Sequence, residues 1–139
     1  MQYVAYGSNL CKKQMKKRCP DATPLRAARL YGYELAFVGF STRWGGGVGT
    51  IWPKQNGMVW GALYEMTKKD IERLDGFEGV SSGYYRKMSI EINEIHAYTY
   101  VCTETNQNPP SSKYLETIRR GFEDWNLPLT ELSGIQTCD

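Results

Sequence analysis

The spacing of apolar positions changes several times along the chain, and each change marks an element. Tyr3, Val4 and Ala5 form a short apolar run that predicts a buried strand, and Tyr6-Gly7-Ser8-Asn9 breaks it with a tight polar loop. Residues 10–18 read as a short helix, capped by Ser8 or Asn9 and stopped by Cys19-Pro20-Asp21. Residues 25–40 are extended in character, and the glycines at 45, 46, 47 and 49 predict a flexible loop over 42–49. Residues 48–52 and 58–66 predict two strands joined around Pro53 and Asn56-Gly57, a hairpin signal; the second is apolar almost throughout and therefore central. Thr67-Lys68-Lys69-Asp70 resembles a capping box, with Met66 and Ile71 placed for a hydrophobic staple, so a helix starts here and ends near Asp75-Gly76. After a loop over 77–83, residues 84–92 and 95–103 alternate as two more strands. Ser111 or Ser112 caps a last helix with Tyr114, Leu115, Ile118, Phe122 and Trp125 on one face, closed by Pro128. The pattern predicts an α+β fold of about six strands with flanking helices, in a single domain over residues 1–139.

Charge and cysteine usage narrow the function classes. A formal net charge of +2 is too small to argue for nucleic acid. Lys12, Lys13, Lys16, Lys17 and Arg18 fall in one short helix and read as a solvated face. Cys11, Cys19, Cys102 and Cys138 make no C-x-x-C pair, and with His96 as the single histidine no metal-ligand set emerges. Reduced thiols, no signal-peptide pattern and no apolar run of membrane-spanning length lead to the expectation of a soluble cytoplasmic protein that engages neither membrane nor nucleic acid. Trp44, Trp52 and Trp125, read as exposed aromatics, permit a homodimer without requiring one.

Candidate chemistry begins at the opening loop. A strand-loop-helix junction leaves backbone N–H groups free at the helix start, where negative charge is favoured, so residues 3–10 suit an anionic group. The same residues would also serve a turn that binds nothing. Two acids, Asp75 and Glu78, lie between glycines in Leu74-Asp75-Gly76-Phe77-Glu78-Gly79-Val80. Asp75 at a helix end opposes the dipole and suits a turn. Glu78 sits beside Phe77 and Val80, and an apolar neighbourhood raises a carboxylate's pKa towards the range of a general base. The residues alone do not choose between the two. Ser8 lacks a base nearby in sequence and the chain lacks G-x-S-x-G, which argues against a serine nucleophile. The glycine loop lacks G-x-x-x-x-G-K-[ST], which argues against nucleotide phosphates.

Tyr6-Gly7-Ser8-Asn9-Leu10, followed by Leu74-Asp75-x-x-Glu78-Gly79-Val80-x-x-Gly83-x-Tyr85, resembles the γ-glutamylcyclotransferases. The likeness continues through Gly46-Gly47-Val48-Gly49-Thr50-Ile51, Val59-Trp60-Gly61, Pro109-Pro110-Ser111 and Asn126-Leu127-Pro128-Leu129, and so covers nearly the whole chain in order. The resemblance implies a small, mixed, β-barrel-like sheet with flanking helices and a cavity floored by the opening loop. It implies that Glu78 is the catalytic glutamate, that Tyr3, Val4, Ala5, Tyr6, Gly7, Ser8 and Asn9 cradle the substrate, and that Tyr85 and Tyr100 are site tyrosines. The implied reaction is intramolecular: the α-amine of a small γ-glutamyl substrate attacks its own γ-carbonyl carbon, releasing an amino acid or amine and 5-oxoproline without metal or organic cofactor. Removal of γ-glutamyl groups from an amine, an isopeptide or a biosynthetic intermediate is the neighbouring reading. A non-catalytic module that binds a small acid is the alternative from another class.

Overall fold

The first strand, β1 (Gln2–Ala5), is short and its last three residues are buried, so its backbone groups must pair on both sides. They do. In the computed structural model, which describes residues 1–139, β1 runs antiparallel to β3 (Gly46–Glu65) and parallel to β5 (Ile95–Cys102). With β2 (Thr23–Ser41) and β4 (Tyr85–Ile92) at the edges, the sheet has the order β2-β3-β1-β5-β4. Alternation along β1 divides its side chains between two apolar clusters: Tyr3 and Ala5 join the larger, Val4 and Tyr6 the smaller.

Five strands replace the expected six because residues 46–65 form one strand. Asn56-Gly57 makes an excursion inside β3 rather than a hairpin: Tyr31 pairs with Met58 and Tyr33 already pairs with Pro53, with Asn56 at φ 63° between them. The glycine loop is correspondingly shorter than expected, since Gly46 to Gly49 belong to β3 and the β2–β3 turn is Thr42 to Gly45. The sheet is open but partly closed by side chains. Thr50 Oγ1 accepts from the Cys102 N–H at 3.0 Å, and Tyr85 donates to Gly49 O at 2.7 Å. These bonds draw the far half of the long hairpin towards β5 and β4, where a closed barrel would have a ladder.

Helices α1 (Lys12–Arg18), α2 (Lys68–Phe77) and α3 (Ser112–Asp124) add their buried residues Met15, Leu74, Tyr114, Ile118 and Phe122 to the larger cluster. Thr67 caps α2 as expected, accepting from the Asp70 N–H, and Met66 and Ile71 join the same cluster. The three tryptophans are not free surface. Trp44, Trp52 and Trp125 are half-buried against the main cluster, and Trp125 Nε1 donates to Leu10 O. No helix is long and apolar enough to cross a membrane.

Helix α3 also sets the place of the opening loop. Gly121 lets it lie directly on Leu10 and Cys11: an added Cβ would meet Leu10 Cβ at 2.4 Å and Leu10 C at 2.6 Å. Asp124 accepts from the Lys12 N–H at 2.9 Å, so the end of α3 caps the start of α1. Alanine is a better helix former than glycine by about 0.8–1.0 kcal/mol, but forced overpacking costs roughly 1–3 kcal/mol. Gly121→Ala should therefore lower the urea midpoint, and a wild-type or higher midpoint would show that the loop is not pressed on the helix.

Candidate active site

Glu78 ends α2, and its position is set by backbone hydrogen bonds. The Gly79 N–H donates to Gly76 O and the Val80 N–H to Asp75 O, the paired bonds of a Schellman ending. That ending requires a left-handed residue after the cap, and Gly79 supplies it at φ +65°. Glu78 is thus a helix C-cap rather than a loop residue, one position beyond the extended end of α2.

The opening loop meets Glu78 through Asn9, 69 positions away in sequence. A 3-10 turn, Ser8–Leu10, precedes α1, and its first bond is from the Leu10 N–H to Gly7 O. The N–H groups of Gly7, Ser8 and Asn9 come before that bond and have no partner within the turn. Neither Ser8 nor Asn9 caps a helix, contrary to expectation. Ser8 Oγ accepts from Gln14 Nε2 at 2.8 Å, while the Asn9 amide is fully used. Asn9 Nδ2 donates to Glu78 Oε1 and to the Tyr3 hydroxyl, both at 3.0 Å. Asn9 Oδ1 accepts from Arg18 and from Gln14, both at 3.1 Å. Because Arg18 can only donate, the amide oxygen must face it and the amide nitrogen must face Glu78. Gly7 itself has φ −115°, outside the left-handed region.

Around these groups lies a cavity of about 360 Å³. Tyr3, Tyr6, Gly7, Ser8, Asn9 and Glu78 all line it, as do Tyr85 and Tyr100. Val4 and Ala5 do not: both are fully buried in the apolar clusters, where they hold the strand that carries the loop. The tyrosines are walls with engaged hydroxyls. Tyr85 donates to Gly49 O, Tyr6 to Tyr100 O and Tyr100 to Asp75 Oδ1, and the Tyr114 hydroxyl accepts from the Gly49 N–H at 2.9 Å. Asp75, the other candidate acid, also bonds to Lys87 at 2.9 Å, which makes it an anchor for Tyr100.

Sequence reasoning missed Arg18, Arg43 and Tyr114, all on the cavity wall. Arg18 is only 7% exposed, not on a solvated face, while Lys12, Lys13, Lys16 and Lys17 are exposed. A signal existed, because Arg18 follows the buried Met15 by three positions and so shares its helix face. Tyr114 was placed on the apolar face of α3 without a site role, and nothing in sequence brings Arg43 across from the β2–β3 turn.

Electrostatics single out Glu78. Burial among the cavity walls pushes its pKa up to about 7, opposed by Arg18, by the Asn9 hydrogen bond and by Arg43. It is half-buried by area because its open side faces the cavity. Burial, the largest cause in each case, raises Tyr3, Tyr6 and Tyr85 well above the usual tyrosine value, so these stay neutral. A carboxyl near neutrality can take a proton and return it. Backbone N–H groups of the turn on the same cavity wall, which have no partner within the turn, can bind an oxyanion or carboxylate. No three His, Cys, Asp or Glu side chains converge as a metal site would need. Since Arg18 opposes the rise, Arg18→Gln should move the Glu78 carboxyl midpoint, followed by ¹³C NMR, to higher pH. An unchanged or lower midpoint would remove Arg18 from this balance.

Comparison with known proteins points to one family. The model of the AIG2-like family matches residues 58–131. The γ-glutamylcyclotransferase of Mus musculus is 37% identical over 91% of this chain and 72% of its own length, and that of Bos taurus is 35% identical over 99% and 79%. A solved γ-glutamyl cyclotransferase structure superposes with a TM-score of 0.95 at 32% identity, covering 100% of this chain and 89% of the other. YkqA from Bacillus subtilis shares the fold at a TM-score of 0.74 and 24% identity. Identity at this level over nearly the whole chain, with the opening turn and the glutamate meeting at one cavity, shows that the protein belongs to the γ-glutamylcyclotransferase family and is an enzyme of that type.

Proposed function

We propose that the enzyme cyclises small γ-glutamyl compounds to 5-oxoproline, with Glu78 as the group that moves the proton. The observation that carries this reading is the Asn9–Glu78 hydrogen bond, which joins the opening turn to a carboxyl poised near pH 7. The substrate supplies its own nucleophile. Its α-ammonium loses a proton to Glu78, and the freed amine attacks the γ-carbonyl carbon to close a five-membered ring. The ring nitrogen gives up its second proton as the tetrahedral intermediate collapses and the C–N bond to the leaving group breaks. Glu78 passes the proton on to the departing nitrogen, so that both protons lost by the α-ammonium leave on the released amine as its ammonium. Holding the folded conformer is worth much of the barrier, because ring closure is intramolecular. Gly7, Ser8 and Asn9 N–H groups bind the head-group carboxylate or the developing oxyanion, and Tyr85 and Tyr100 confine the head group. A cytoplasmic setting belongs to the same reading, supported by four unpaired cysteines, three of them buried.

Glu78→Gln keeps an acceptor for Asn9 but cannot carry a proton. It should lose about 10²–10⁴-fold or more in 5-oxoproline release, followed by chromatography with γ-glutamyl-alanine, while substrate binding persists. Normal turnover by this variant would rule out the mechanism.

The same substitution has a stability signature. The folded state holds the Glu78 proton more tightly than the unfolded chain, with a pKa of about 7 against 4.5. The stability this contributes is complete below the lower value and is lost as pH rises through the upper one. Glu78→Gln should therefore be more stable than wild type at pH 8, by roughly 1–3 kcal/mol, and equal to it near pH 4. Thermal unfolding at both pH values checks this, and a less stable variant at pH 8 contradicts it.

A further inference from the structure

Arg18, Arg43 and Phe77 line a second cavity as well as the first, and its chemistry is one-sided. It measures about 340 Å³, and among its nine lining residues are Lys13, Lys17, Arg18, Arg43 and Arg120, with no acidic side chain. Of these five cations only Arg120 has a carboxylate partner, Glu116 at 3.5 Å. Like charges gathered on one wall repel each other, and a bound anion removes that cost. A second observation points the same way. Arg18 is 7% exposed, yet its Nε has no partner within the protein, although a buried donor left unpaired is costly. Its guanidinium and that of Arg43 lie 4.9 Å and 5.7 Å from the centre of the same Phe77 ring, at the junction of the two cavities.

We propose that the second cavity is a subsite for the released half of the substrate and that it selects leaving groups carrying more than one carboxylate. The chemical class is a γ-glutamyl compound whose leaving amine is an acidic amino acid or a short acidic chain. This rests on the assignment of the γ-glutamyl head group to the cavity beside Glu78. With the head group there, the chain beyond the scissile amide runs past Arg18 and Arg43, which meet a first carboxylate. Lys13, Lys17 and Arg120 then reward a second negative charge that a neutral side chain lacks. A leaving amine with no carboxylate leaves Lys13, Lys17, Arg18 and Arg43 without a carboxylate partner.

The test compares kcat/KM for γ-glutamyl-glutamate, γ-glutamyl-alanine and γ-glutamyl-methylamide in the wild type and in Lys17→Gln/Arg120→Gln. Both positions are exposed, so the folded state tolerates the change. Exposed charge pairs are each worth roughly two- to fivefold. The wild type should prefer the glutamate compound over the alanine compound by several-fold at low salt, and the preference should shrink as salt is added. In the double variant most of that preference should disappear, leaving the two compounds within about twofold of each other, through KM rather than kcat. Equal kcat/KM for the two compounds in the wild type, or an unchanged ratio in the variant, overturns the subsite while leaving the cyclotransferase reading intact. Failure to cyclise any of the three overturns both.

Discussion

The Asn9 amide is the joint on which the site depends. A side chain with two donors and an acceptor lies 4% exposed between four polar groups, and all of its capacity is used. Its orientation is not free, because the Arg18 guanidinium can meet only the amide oxygen. That leaves the amide nitrogen for Glu78 and Tyr3, which ties the end of α2 to the start of the chain. The rest of the fold supplies the anchoring. β1 is held on both sides by neighbouring strands, and Gly121 brings α3 against the turn that carries Asn9.

Glu78 stands where opposing effects meet and burial outweighs the rest. Desolvation by the tyrosine-rich walls favours the protonated acid, while Arg18, Asn9 and Arg43 favour the anion. Burial wins, but only as far as neutrality. A carboxyl with fewer walls would be a weaker base, and one without cations nearby would be protonated throughout the physiological range. The cations also face the second cavity, so the groups that temper Glu78 are placed to read the charge of the released half of the substrate.

Much of this was legible in the sequence, and the failures have physical causes. The capped starts of α2 and α3, the buried first strand and the β4–β5 hairpin follow from local chemistry, and the structure carries them. Asn56-Gly57 misled because a positive-φ pair serves an excursion within a strand as well as a hairpin turn, and only the partner strand decides between them. Ser8 and Asn9 read as caps, yet Gln14 engages the side chain of Ser8 and the distant Glu78 that of Asn9. Arg18 was hidden in a basic stretch whose other members are solvated, and Arg43 reaches the site only because the long hairpin folds back over it. Glu78 and Asp75 could not be separated from the residues alone. In the folded chain Asp75 is taken up by Tyr100 and Lys87, while Glu78 faces the cavity.

The most direct test of a carboxyl base tuned by its walls is the pH dependence of kcat/KM for γ-glutamyl-alanine, measured from pH 4.5 to 8. The account predicts an acid limb with a single ionisation close to the Glu78 value of about 7, since kcat/KM reports the free enzyme's essential base. A rate that is already at its plateau by pH 5.5, as for an ordinary solvated glutamate, would contradict it.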